Sequence, residues 1–399
     1  MLRLTNQTQH YAWGSATAIP EIIGIPASGE PVAELWMGGH PSAPSRALTS
    51  GEEVPLDALV AADPDQLLGA DVVARFGPAL PYLLKIIAAE KPLSLQVHPR
   101  LDRARDGYDA EEAAGVDRSR SDRNYKDRNH KPELVYALTT FEALCGFRAP
   151  RRAAELLAGL DAPLARTLSD VLREAPSYEG IRTAFRHLLE PGTRPSRREV
   201  DAVVDACRDR LRNGSPSPRA DGAVVLLADA YPGDPGAVTS LLLNPVTLQP
   251  GEAMFIPAGG VHAYLRGVGI EIMASSDNVL RAGLTTKHVD IPELLANVDY
   301  VAAPPIRIAP ELFYGATKVY YAPVDDFQLS VTTVTDGETH SLPGRGPRIL
   351  LCLDGAVTIT PQTGGDTLDL ARGQAAFAPA SDGALTVHGT GCVVQADVP

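Results

Sequence analysis

Ser94, Gln96 and His98 occupy alternate positions of LSLQVHP, residues 93–99. On a strand such positions project to one side, and Leu93, Leu95 and Val97 project to the other. A face turned to water is well served by Thr, Lys or Glu. These three are neutral instead, and two of them are good metal ligands. Further ligand types stand at Glu133, which heads the apolar run in NHKPELVYAL, and at His262 in PAGGVHAYL. Each lies near a Pro- or Gly-marked strand end, where barrel mouths expose side chains. Gln96, His98, Glu133 and His262 together form a nitrogen and oxygen set without thiolate, which suits a catalytic zinc better than a structural one. Manganese, cobalt and iron accept the same set. The plainer alternatives are hydrogen-bonded structural histidines and a Glu133 ion-paired with Lys131 or Arg128. His40, in a Gly-Gly-His-Pro loop, is a candidate for the cleft wall; His10, His187, His288, His340 and His388 read as surface or packing residues.

The chain has 399 residues, 44% of them hydrophobic, enough for two or three domains with ordinary cores. No stretch reaches the roughly 18 to 20 uncharged apolar residues of a membrane helix. MLRLTNQTQHYAWG has no apolar signal core, so a cytoplasmic protein is expected. The four cysteines are scattered and read as reduced, buried residues. A formal net charge of −13 and a pI near 5.2, with dispersed acidic residues, argue against nucleic acid or an anionic membrane as partner. An anionic small substrate would need a locally positive pocket, for which Lys85, Lys91, Lys131 and Arg100 are the candidates.

The elements that must position these residues fall into three textures. Residues 1–148 are short apolar runs broken by Gly and Pro, such as PYLLKIIAA and KPELVYAL, and read as strands. Residues 149–220 carry apolar residues at three- and four-residue spacing and read as a helical insertion, with a capping box at Ser196 and Glu199. After NGSPSPRADG strand texture is expected to return and to continue to the end. GEAMFIPAGGVHAYL (251–265) and GQAAFAPASDGALTV (373–387) align without a gap, sharing Gly251 and Pro257 with Gly373 and Pro379. Each reads as a turn, a strand, a Pro-bearing turn and a second strand, a recurring barrel corner. Ala384 stands where the first copy has His262, which puts the chemistry in the first barrel. The expected fold is mainly β with a helical insertion (α+β). Residues 1–148 and 221–302 are expected to form a metal-binding barrel, 149–220 an all-α subdomain, and 303–399 a degenerate second barrel behind the Pro-rich 300–308 linker.

Gly251, Pro257, Gly259 and His262 resemble the second motif of the cupins, although Arg266 replaces its usual Asn and the first motif lacks its ordinary spacing. YAWGS, ELWMGGHPSAPS, LSLQVHP, NYKDRNHKPE, FEALCGFR, IPAGGVHAYL and SSDNVLRAGLTTKHVD, in that order, resemble a type I phosphomannose isomerase. The resemblance implies that Gln96, His98, Glu133 and His262 bind one zinc ion per chain, that Arg281 is the catalytic arginine, and that Ser94 and Lys131 contact substrate and phosphate.

It implies further that the chain is an isomerase interconverting mannose 6-phosphate and fructose 6-phosphate through a cis-enediol, and a monomer is expected. Such a reaction needs a stabiliser of oxyanion charge, the metal and Arg281, and a group that carries a proton between adjacent carbons. Glu271, in GIEIMASSDNVLR, is the first candidate for that group; Lys131 and His130 are rivals and Asp277 a weaker one. Two other classes stay open: a non-catalytic metal-dependent sugar-binding cupin, which would lack the proton-handling residues, and an iron oxygenase.

Overall fold

The computed structural model of the protein describes residues 1–49 and 51–399. Two mixed-length antiparallel sheets, each of eleven strands, lie back to back, and a layer of helices covers part of the first, giving an α+β fold. The strand Tyr82–Ala89 explains the join. All eight of its residues are buried because both of its faces are covered. Leu84, Ile86 and Ala88 pack with Ile349, Leu351, Phe377 and Val394 of the second sheet. Leu83, Lys85, Ile87 and Ala89 alternate with them and face the interior of the first. Such a strand reads as a continuous apolar run.

The long strand His262–Ala274 organises the first sheet. Its first part pairs with Phe141–Phe147 and meets Leu95–Val97 at His262 and Gln96. Its second part pairs with Tyr82–Ala89 on one side and Glu133–Ala137 on the other. The segments carrying Gln96, Glu133 and Lys85 therefore border one strand, and Leu280–Gly283, which carries Arg281, pairs with Leu95–Val97. The helices Pro150–Ala158, Pro163–Glu174, Tyr178–Leu189 and Arg197–Arg212 bury Leu157, Leu168, Phe185 and Val203 against Leu95, Val97, Ala263 and Leu280. Burying Leu95 and Val97 under the helices turns Gln96 the other way. The capping box is present: the Glu199 carboxylate accepts from the Ser196 backbone N–H at 2.8 Å.

Three readings of the sequence need correction. Strand texture does not resume after residue 222; Pro218–Ala230 is a further helix, followed by Gly236–Thr239. AVVLL is too short to separate a buried strand from a buried helix, and Pro218 at the first helical position was the available start signal. The strand within LSLQVHP is only Leu95–Val97. Prolines at 92 and 99 offer no N–H to a ladder, and Leu93 packs with Ile87, Phe141 and Tyr264 rather than beside Leu95. Finally, Leu2–Thr5, Arg46–Thr49 and Glu52–Pro55 join the second sheet, with Leu2 opposite Phe377. Four-residue strands carry no mark of the sheet they will enter.

The internal echo is a structural repeat. Ala253–Ile256 and His262–Ala274 are strands of 4 and 13 residues, and so are Ala375–Ala378 and Leu385–Asp397. Gly251 and Gly373 open the two copies at φ 89° and 80°, where a side chain would be strained.

One end of the second sheet buries a polar group at a cost that pH controls. Asp397 is fully buried, accepts from Gln395 Nε2 at 3.1 Å and leaves Oδ1 without a partner. Burial pushes its carboxyl up to about 7, against the pull of Gln328 and Arg348. A raised folded-state pKa means that its contribution is full below about pH 4 and is lost as pH rises toward 7. Asp397→Asn is therefore expected to raise the melting temperature at pH 8 by about 2 °C or more and to change it little at pH 4, as scanning calorimetry at the two pH values will read.

Candidate metal centre

His98, Glu133 and His262 meet in the interior, each at least nine-tenths buried, with one ligand atom from each within 4.8 Å of the others. Glu133 Oε1 is 3.2 Å from His98 Nε2, and Glu133 Oε2 is 3.3 Å from His262 Nε2. The other ring nitrogens are committed: His98 Nδ1 bonds the Asn278 carbonyl at 2.7 Å and His262 Nδ1 that of Gly260 at 3.0 Å. A carbonyl only accepts, so Nδ1 carries the proton on each ring, and the Nε2 lone pairs face the carboxylate. Burial lowers His98 to about 4 despite Glu133 beside it, so its ring is neutral. His98 Nε2 is then a buried atom without a hydrogen bond. Lone pairs facing a carboxylate at this range repel unless a cation lies between them. Ligands bonded at about 2.1 Å around a tetrahedral ion stand about 3.4 Å apart, close to the two separations observed. The donor set fits a divalent metal.

Gln96 sits half-buried, directly opposite His262 on one neighbour and Arg281 on the other. Its amide nitrogen approaches Ser94 Oγ at 3.4 Å, which leaves the amide oxygen for the centre. Arg281 is half-buried; desolvation lowers its pKa and the Tyr11 phenol raises it, and among the described residues no carboxylate pairs with the guanidinium. Lys131 Nζ is 3.5 Å from Glu133 Oε1. Burial opposes the Glu133 charge, but His98, once acid has protonated it, and Lys131 hold its carboxyl well below the usual range.

Glu271 lies directly opposite Lys85, which lies directly opposite Trp36. Lys85 Nζ is 3.1 Å from Glu271 and 3.9 Å from Glu34. Burial raises the Glu271 pKa, Lys85 lowers it, and Glu133 raises it again, for a net increase. Burial disfavours the Lys85 ammonium, yet Glu34 and Glu271 more than restore it. Glu34 escaped the sequence reading altogether, since only the pairing of three separate strands brings it here.

The remaining candidates separate. Lys91 and Arg100 are exposed, and Arg100 pairs with Asp299 at 2.9 Å, so of the four expected cations Lys85 and Lys131 are interior, with Arg281 half-buried beside Gln96. His130 pairs with Asp326 at 3.0 Å, and Asp277 accepts from Ser42 at 2.7 Å. His40 is buried edge-on against Trp36. All three line a cavity of about 990 Å³ that reaches none of the four expected ligands. The cluster, by contrast, brings two imidazoles and a carboxylate to one buried point, with His98 Nε2 left without a hydrogen bond.

Two imidazoles and a carboxylate around one point, with Gln96 and a guanidinium on adjoining strands, suit a metal-dependent enzyme. Comparison with known proteins narrows the class. Residues 1–150 match the phosphomannose isomerase type I catalytic domain and residues 319–362 the type I C-terminal region. Mannose-6-phosphate isomerase of Escherichia coli strain K12 is 41% identical over 397 residues, 98% of each chain. The human enzyme is 32% identical over 410 residues, covering 95% of this chain and 93% of its own. A zinc-bound crystal structure of mannose 6-phosphate isomerase superposes with a TM-score of 0.89 at 38% identity, covering 100% of this chain and 99% of the other. The chain belongs to the type I phosphomannose isomerase family.

Proposed function

We propose that one zinc ion per chain is held by Gln96, His98, Glu133 and His262, and that the chain interconverts mannose 6-phosphate and fructose 6-phosphate through a cis-enediol. The meeting of two imidazoles, each with its Nδ1 committed to a backbone carbonyl, with Glu133 carries this reading. When bound, the ion supplies Lewis-acid stabilisation of the charge that develops on the substrate oxygens. Arg281 adds a cation that stays protonated at working pH, fixed beside Gln96 and half shielded from water. Ser94 and Lys131 contact the substrate and its phosphate.

Glu271 is our first choice for the group that lifts the proton from C2 and returns it to C1, with Lys131 second. Its raised proton affinity suits a base working near neutrality, and Lys85 holds the carboxylate in place. The non-catalytic sugar-binding alternative leaves Arg281 and a buried Glu271 without a task.

The finer architecture is two cupin-like barrels: the first from 1–148 and 243–308 apart from the strands noted above, since Ile306–Ile308 pairs with Ala253–Ile256 rather than opening the second barrel, the second from 309–399, and the helices of 149–242, not 149–220, against the first. Among the described residues no helix is long and apolar enough to cross a membrane, and we expect a monomer in the cytoplasm.

A coupled assay for fructose 6-phosphate tests the reading. Activity should vanish after EDTA treatment and return with about one equivalent of zinc. Protein that binds one zinc tightly yet never turns over mannose 6-phosphate would overturn it in favour of the sugar-binding class.

A further inference from the structure

Glu34 touches neither the metal cluster nor Arg281, yet it is 7% exposed and charged groups surround it. Its strand, Glu34–Met37, pairs with Tyr82–Ala89, which pairs with His262–Ala274, so Trp36, Lys85 and Glu271 form one row across three strands. Glu34 sits two residues from Trp36, on the same face. Trp36 Nε1 donates to Glu34 Oε2 at 2.7 Å, which fixes the carboxylate. The other oxygen, Oε1, is 3.9 Å from Lys85 Nζ. Lys85 also lies over the Trp36 ring, 5.1 Å from its centroid. One ammonium is thus shared by two buried carboxylates and clamped from behind by an indole.

That sharing has a consequence for Glu271. A buried Glu–Lys pair alone would hold both partners charged and leave the carboxylate a poor proton acceptor. A second carboxylate on the same lysine draws its charge away and adds a repulsion of its own. The groups facing Glu271 are Lys85 on one neighbouring strand, Glu133 on the other, Glu34 beyond Lys85, Lys131 and the buried Tyr264 phenol. Of these, Glu34 is the carboxylate whose removal leaves the metal ligands intact.

We propose that Glu34 is a positioning residue for proton transfer: with Trp36 it anchors Lys85 and divides its charge, so that Glu271 is held in place without losing its capacity to accept a proton. This rests on Glu271 being the proton-transfer group, and the test separates the two ideas. In Glu34→Gln the whole charge of Lys85 falls on Glu271. We expect kcat to drop about tenfold to a hundredfold with KM within about twofold. The acid limb of the kcat–pH profile should move down by about one unit, with zinc content unchanged. Glu34→Asp, which keeps the charge, should restore the limb and part of the rate. Glu271→Gln is measured alongside. If it turns over normally, the assignment of Glu271 fails and this proposal with it. If it is inactive while Glu34→Gln leaves the acid limb in place, or if Glu34→Asp is as impaired as Glu34→Gln, Glu34 is only structural and the positioning role is overturned.

Discussion

Glu133→Gln should lose its metal and nearly all of its turnover, by about three orders of magnitude or more, equivalent to about 4 kcal/mol or above. The carboxylate is the one negative charge facing both imidazoles, and each of its oxygens lies against a different ring nitrogen. An amide of the same shape keeps the packing but surrenders the charge that attracts a dication. Its nitrogen would then donate to one imidazole and close the gap in which the ion sits. His98→Ala and His262→Ala should fall to a similar level, since each removes a lone pair aimed inward by a carbonyl behind it. Gln96→Ala should be milder. A neutral amide is the weakest donor of the set, and excess zinc is expected to recover a share of its activity but none of that lost with Glu133. Metal content by atomic absorption, beside kcat at increasing zinc, checks the order. A Glu133→Gln protein with a full equivalent of zinc and normal turnover would remove the cluster from the reaction.

This ordering was within reach of the sequence because strand alternation is a local property. Ser94, Gln96 and His98 share a parity, and that parity decides which side chains lie under the helices and which face inward, even though the strand proved only three residues long. The repeat was legible for the same reason: Gly251 and Gly373 demand the same turn, and strands of equal length follow each. What stayed hidden depends on pairing between distant segments. Lys85 read as a candidate for a solvent-facing positive pocket, because nothing near it in LKIIAAE discloses that Glu34 and Glu271 flank it on adjacent strands. Arg100 stands closer to the ligands in sequence than Lys85 does, yet it turns outward to Asp299. The helix at Pro218–Ala230 was missed where a short apolar run carries no period of its own.

Arg281 poses the converse experiment, a loss of rate with the metal in place. It lies opposite Gln96 on a neighbouring strand, outside the cluster of two histidines and Glu133, so truncating it leaves the metal's charged partner untouched. What goes is a fixed cation that burial has partly stripped of water and that, among the described residues, no carboxylate pairs with. Such a charge is worth little in the ground state of a neutral sugar carbon and most where negative charge gathers on the enediolate. Arg281→Ala should therefore keep about one equivalent of zinc while kcat falls about a hundredfold to a thousandfold. If Arg281 held only the phosphate, the loss would fall on KM, with kcat little changed. Arg281→Lys distinguishes charge from shape. An ammonium restores the sign but not the planar fork, so a recovery of about tenfold at most is expected if geometry matters as much as charge. Full recovery by lysine would mean that the charge alone does the work; no loss in either variant would leave the oxyanion to the metal centre and to Lys131.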